Sequence, residues 1–271
     1  NKKWTKLLGS SSYDYSEGIT IGNDGSIYIT GGTTGDLDGQ ANNGEIDVFI
    51  SKFDSEGNKE WTQLLGSSNN DESYGITTAN DGSIYITGDT TGDLDGQINS
   101  GDYDAFISKF DSDGNKKWTK LLGSSSYDYS EGITIGNDGS IYITGGTAGD
   151  LDGQINSGGF DAFISKFDSD GNKVWTELVR SSSEVSSLAI TTCLTGSIYI
   201  TGYTNEQPNN GGIDAFISKF DKEGNKEWKR LIGSSSDDIS WGITTGNDGS
   251  IYITGETSGD LDGKTNNGQF D

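Results

Sequence analysis

Residues 2–40 read KKWTKLLGSSSYDYSEGITIGNDGSIYITGGTTGDLDGQ, and the same string returns at 116–154 with one change, Ala148 where the first copy has Thr34. Looser copies begin just before Trp61, Trp175 and Trp228, so that the tryptophans at 4, 61, 118, 175 and 228 mark five units starting near residues 2, 59, 116, 173 and 226. A unit that recurs at fixed spacing is one supersecondary block whose apolar faces are covered by its neighbours. The 271 residues are therefore read as a single repeat domain.

Within a unit the apolar residues alternate in short runs separated by turn chemistry. In the second copy, GITT and SIYITG flank Asn80-Asp81-Gly82, and DAFISKF and KKWTKLL flank Asp111-Ser112-Asp113-Gly114-Asn115. Asn, Asp and Gly tolerate the positive φ of tight hairpins, so each unit predicts four antiparallel strands, A to D. Ile84 and Ile86 face one way and Tyr85 the other; Phe106 and Phe110 oppose Ala105 and Ile107. Apolar side chains on both faces suit a sheet held between like sheets. No segment has a helical apolar stripe. The expected fold is all-β, a β-propeller of four-stranded antiparallel blades, with a linear β-solenoid as the rival; radial stacking leaves only short edges exposed. Strand D would open the chain at Lys2 to Leu8, and the fifth unit stops after strand B, which reads as part of a longer polypeptide.

The run DAFISKFDSDGNKKWTKLLGSSSYDYSEGITIGNDGSIYITGGT, residues 104–147, resembles the SBBP-type β-propeller repeat of bacteria and archaea. The resemblance extends over essentially the whole chain and implies a propeller, and a place in large secreted or surface proteins whose functions are mostly uncharacterised. The fourth copy departs most: Arg180 stands where the other copies have Gly, and its B to C connection is four residues shorter.

Charge narrows the partners. The formal net charge is −24, from 42 acidic and 18 basic residues with no His. Such a field repels phosphate backbones and anionic membranes, which argues against nucleic acid and membrane insertion and favours cations. No run approaches the roughly 20 apolar residues of a membrane span. Cys193 is alone, so no intrachain disulfide forms, and it is expected as a buried, unreactive thiol.

The B–C and D–A connections are long and share one rim, the place where binding residues collect on a rigid scaffold. In the B–C loop, Asp36, Asp38, Gln40, Asn42 and Asp47 occupy positions 1, 3, 5, 7 and 12. The pattern recurs as Asp93, Asp95, Gln97, Asn99 and Asp104, as Asp150, Asp152, Gln154, Asn156 and Asp161, and in part as Asp260, Asp262, Asn266 and Asp271. Alternating oxygen donors closed by a carboxylate are what Ca²⁺ asks of one loop, and ordinary polar turn chemistry is the competing reading. The Asp54, Asp111, Asp168 and Asp221 turns are read as turn chemistry alone.

Before the Gly that opens strand A, the copies carry Glu17, Tyr74, Glu131, Leu188 and Trp241, a position that departs from the repetition around it. Tyr74 and Trp241 beside Glu17 and Glu131 suit a sugar, and a hydrophobic plug is the other reading. The tryptophans of strand D read as packing between blades. With no His and no activated thiol, the usual nucleophile and base pairs are missing, and catalysis is not expected. Two functions follow: a structural and adhesive extracellular or cell-surface module with an unidentified protein or glycan ligand, its loops rigidified by Ca²⁺, or a multivalent lectin-like propeller that gains avidity from equivalent sites.

Overall fold

Gly25, Gly82, Gly139 and Gly249 sit at positive φ in the A–B turn, the backbone state that the Asp-Gly signal predicts, and Gly196, which follows Thr195, adopts it too. The computed structural model describes residues 1–271, and every regular element in it is a strand. The first sheet runs β1 (Asp14–Ile21), β2 (Ile27–Thr33), β3 (Asp47–Phe53) and β4 (Lys59–Leu65). The second runs β5 (Asp71–Thr78), β6 (Ile84–Thr90), β7 (Asp104–Phe110) and β8 (Lys116–Leu122). The third contains β9 (Asp128–Ile135), β10 (Ile141–Thr147), β11 (Asp161–Phe167) and β12 (Lys173–Val179), and the fourth β13 (Val185–Thr192), β14 (Ile198–Thr204), β15 (Asp214–Phe220) and β16 (Lys226–Ile232). A two-stranded sheet, β17 (Asp238–Thr245) and β18 (Ile251–Thr257), ends the chain. Neighbours in each sheet follow chain order, and all registered pairs are antiparallel.

The chain divides into two compact units, Asn1–Ile133 and Thr134–Asp271. In the first, β5 lies across β1, β2 and β3, and Ile50, Ile84, Ile86, Phe106 and Phe110 form the core. In the second, β13 lies across β10 and β11, and β17 across β13, β14 and β15, over Ile164, Ile198, Ile200 and Phe216. Strand β6 is buried along its whole length, Tyr85 included, so both sheet faces are covered as the alternating pattern required.

Three expectations need correction. Residues 2–8 form no strand. Trp4 nevertheless donates its indole N–H to Ser55 O at 3.3 Å, as Trp61 does to Ser112 O, so the segment packs like a strand D without a strand C to pair with. Strand A begins earlier than GITT, at Asp71 in the second copy, which places the variable column inside a strand and not in the D–A loop. Cys193 is half-buried in the β13–β14 turn, outside the core. Burial raises its pKa, but hydrogen bonds from Thr195 and Ser197 bring the thiol below its usual value.

The strand D tryptophans do pack between sheets. Trp61 meets Tyr28 at 6.1 Å across its own sheet and covers Gly114 of the next, and Trp118 meets Tyr85 at 6.0 Å. Each ring is half-buried. Trp118→Ala is therefore expected to cost about 2 kcal/mol, less than full aromatic burial would give, measured by urea denaturation. Phe106→Ala, fully buried in the same sheet, should cost more.

Candidate functional site

The variable column becomes a site because each strand A is bulged at that residue. Register shifts fall between Ser16 and Gly18 in β1 and between Ser73 and Gly75 in β5, leaving Glu17 and Tyr74 unpaired at the bulge. The opposing Gly88 makes room: a Cβ there would fall inside the radius of Glu72 O and 2.8 Å from Ser73 Cα. Successive bulges stack, for Tyr74 O lies 2.9 Å from where a Cβ on Gly18 would be, and Glu131 O 3.0 Å from one on Gly75. Glu17, Tyr74 and Glu131 are thus brought side by side within the first unit.

Two further acids join them that the alignment of copies did not single out. Glu72 stands directly opposite Asp89 across the β5–β6 ladder. Tyr15 donates its hydroxyl to Glu72 Oε2 at 2.5 Å, and Tyr74 approaches the same oxygen at 3.5 Å. Asp89 is 5% exposed. Burial, then the Glu72 charge, raises its pKa from 3.8 to about 8, against a lowering hydrogen bond from Tyr74. Glu131 rises to about 7 through burial and the charges of Glu17 and Glu72. Both tyrosine hydroxyls are pushed far up, burial leading in each case. No Lys or Arg acts on either raised carboxyl, so the cluster is a half-buried cup of acids and phenols that holds negative charge poorly at neutral pH. Trp241, the fourth member of the expected ligand set, belongs to the second unit and is 54% exposed.

A signal for the missed residues exists in the repeats. The column of Asp89 reads Gly32, Asp89, Gly146, Tyr203 and Glu256, and that of Glu72 reads Tyr15, Glu72, Tyr129, Ser186 and Ile239. The second copy alone has acids at both.

The B–C loops do not gather their oxygen donors. Asp36 Oδ1 accepts the N–H of Asn42 at 3.0 Å, Asp38 accepts from Thr62 and pairs with Lys59, and Asn42 donates to Thr33 O at 3.0 Å. The arrangement repeats at Asp93, Asp95 and Asn99, with Lys116 on Asp95, and at Asp150, Asp152 and Asn156, with Lys173 on Asp152. Gln40 and Gln97 close the turn through backbone bonds with Leu37 and Leu94, and the Gln154 amide donates to Thr176 O. In the last copy Asp260 accepts from Asn266, and Asp271 from Asn267 at 2.7 Å; Asp262 lies in the left-handed region at φ 49°. Asp47, Asp104 and Asp161 accept the N–H groups of Asn43, Ser100 and Ser157 from below the loop. In these loops no three His, Cys, Asp or Glu side chains are grouped so as to hold a metal ion. A positive lysine sits on the position-3 aspartate in three copies, which does not fit one Ca²⁺ per loop. The turn aspartates 54, 111, 168 and 221 each accept from the Asn four residues on, at 2.7 to 2.9 Å.

Antiparallel four-stranded sheets repeated along the chain, with both faces covered, define a β-propeller repeat protein. The chain belongs to the SBBP β-propeller repeat family, whose model matches residues 3–38, 60–95, 117–152 and 227–262, just over half of the sequence, and passes over the divergent fourth copy. A curated relative, the regulatory protein FlaEY of Caulobacter vibrioides, is 32% identical over 169 residues, covering 56% of this chain and 18% of that protein. Among solved structures, a catalytically inactive virginiamycin B lyase from Staphylococcus aureus superposes with a TM-score of 0.55 at 18% identity, covering 92% of this chain and 66% of the other. A protein of unknown function from Bacteroides caccae gives 0.51 at 8% identity, covering 94% and 74%. These likenesses establish the fold.

Proposed function

We propose that the chain is a non-catalytic structural and adhesive binding module of a secreted or cell-surface protein, and that the cup of Tyr15, Glu72, Tyr74, Asp89 and Glu131 holds a positively charged group of its ligand. The observation that carries this reading is the convergence of acids and phenols with no basic residue to balance them. A protein ammonium or guanidinium group would supply the missing charge and lie against the tyrosine rings. Asp89 lies at the floor of the cup, 5% exposed, where it adds charge and shape to a binding site. Titration with agmatine by calorimetry is expected to give saturable binding at pH 7.5, weakened at least tenfold in Glu72→Gln. Heat that is absent in the native chain, or unchanged in that variant, would sink the assignment, and hydrolysis of aryl glycosides lost in Asp89→Asn would replace it with an enzyme.

The exposed Trp241 ring favours a second reading, a lectin-like module, because a large flat apolar face beside polar groups suits a sugar. A glycan array separates the two: sharp binding lost in Trp241→Ala supports the sugar site, and silence leaves the cationic ligand.

A further inference from the structure

Beneath the long loops, a second set of acids is paired and fully enclosed. Asp47 opens β3 and Asp71 opens β5, and both are 0% exposed. They meet at the Gly66-Ser67 peptide. The Asp47 carboxylate lies flat on Gly66, with Oδ2 2.6 Å from where a Cβ would be, and Asp71 Oδ2 accepts the N–H of Ser67 at 2.6 Å. The outer oxygens are satisfied by backbone N–H groups, Asn43 on Asp47 and Ser67 on Asp71. The inner ones are less so: no donor reaches Oδ1 of Asp47. Burial raises the Asp71 pKa, and the Thr90 hydroxyl, which bonds Gly92 O at 3.0 Å, also acts on that carboxyl as a hydrogen-bond donor and lowers it. The arrangement repeats where Asp104 meets Asp128 across Gly123, and where Asp214 meets Asp238 across Gly233, with Oδ1 of Asp104, Asp214 and Asp238 again lacking a donor.

The chain contains its own control. At the remaining junction Val185 replaces the second aspartate and Arg180 replaces the glycine. There Asp161 stands alone, and the N–H of Ser181, which in the other copies serves the partner acid, turns to Asp161 Oδ1 at 3.0 Å. At the junction without a second aspartate, Asp161 is thus given donors on both oxygens, whereas Oδ1 of Asp47, Asp104, Asp214 and Asp238 is left bare. Two buried anions facing each other without a counterion are strongly unfavourable. A shared proton cancels one of the two charges; a divalent cation cancels both and occupies both inner oxygens.

We infer that each of the three aspartate pairs is a calcium site, one per junction, completed by backbone oxygens or water, which shares the closing aspartate of the B–C loop and uses none of loop positions 1 to 7. Calcium titration of the chelator-treated full chain is expected to give three ions per chain, two in Asp71→Asn and two in Asp238→Asn, with circular dichroism to verify folding. The double variant Arg180→Gly/Val185→Asp, which rebuilds the missing pair, should raise the number to four. A loop site would respond to Asp36→Asn and ignore Asp71→Asn, and that pattern would overturn the inference. So would no uptake at millimolar Ca²⁺, or stability that depends on pH with no effect of metal, the signature of a shared proton only.

Discussion

Gly88→Ala should be among the most damaging single-methyl additions in the first unit, lowering stability by about 3 kcal/mol or more. The added carbon would overlap Glu72 O, and a backbone carbonyl in a paired strand cannot swing aside as a side-chain tip can. Relief requires β5 and β6 to separate at the bulge, which sacrifices ladder hydrogen bonds and opens the Glu72–Asp89 cup. Gly31, Gly202 and Gly255 face the equivalent carbonyls of Tyr15, Ser186 and Ile239, so the requirement is a property of the repeat. A suitable comparison is Gly39→Ala, where φ is 81° and nothing lies within contact distance of the new methyl. That change strains the backbone alone and should cost about 1 to 2 kcal/mol. Urea denaturation of both variants decides the matter: equal losses would mean that positive φ, not close approach, governs the glycine positions.

The bulge also explains how much of the molecule could be read in advance. Strand order, both-sided burial and the positive-φ turns follow from period-two alternation and Asp-Gly pairs, all of which are local. Glu17, Tyr74 and Glu131 were visible because one column varied where its neighbours repeated. Their convergence was not, since it depends on the stacking of bulges from strands 57 residues apart. Glu72 and Asp89 escaped notice because acidic residues are abundant in this chain and only cross-strand register sets these two face to face. The loop aspartates were equally visible in the sequence. Their spacing fits a calcium loop, but linear spacing carries no information about Lys59, Lys116 and Lys173, which come from strand D and sit on the third position. The N-terminal segment has strand-like sequence and still forms no strand, because a ladder needs a neighbour as well as a pattern.

Raising the pH from 5 to 9 should destabilise the native chain, and Asp89→Asn should abolish most of that loss. Below about pH 4 the Asp89 carboxyl is protonated in both folded and unfolded chains. As pH rises, the unfolded chain releases the proton first, near 3.8, while the folded chain retains it up to about 8. The stabilisation conferred by that retained proton is therefore complete below the unfolded value and is lost progressively until the folded value is passed. Glu131, raised from 4.5 to about 7, adds to the same slope. For Asp89 alone the loss is on the order of 3 to 5 kcal/mol, and relaxation of the cup toward solvent would reduce it. Asp24, Asp81 and Asp138 act in the opposite sense: their pKa values are lowered, so the stability they bring is present above the usual carboxylate range and falls on acidification. The two trends place the stability maximum near pH 4 to 6, more acidic than the usual optimum between about pH 5 and 8. An asparagine at 89 keeps the shape without the charge, so the variant should be the more stable protein at pH 9 and lose that advantage at pH 5. Denaturation curves for both chains at the two pH values test this, and a native chain equally stable at pH 5 and pH 9 would show that the cup carries no such electrostatic load.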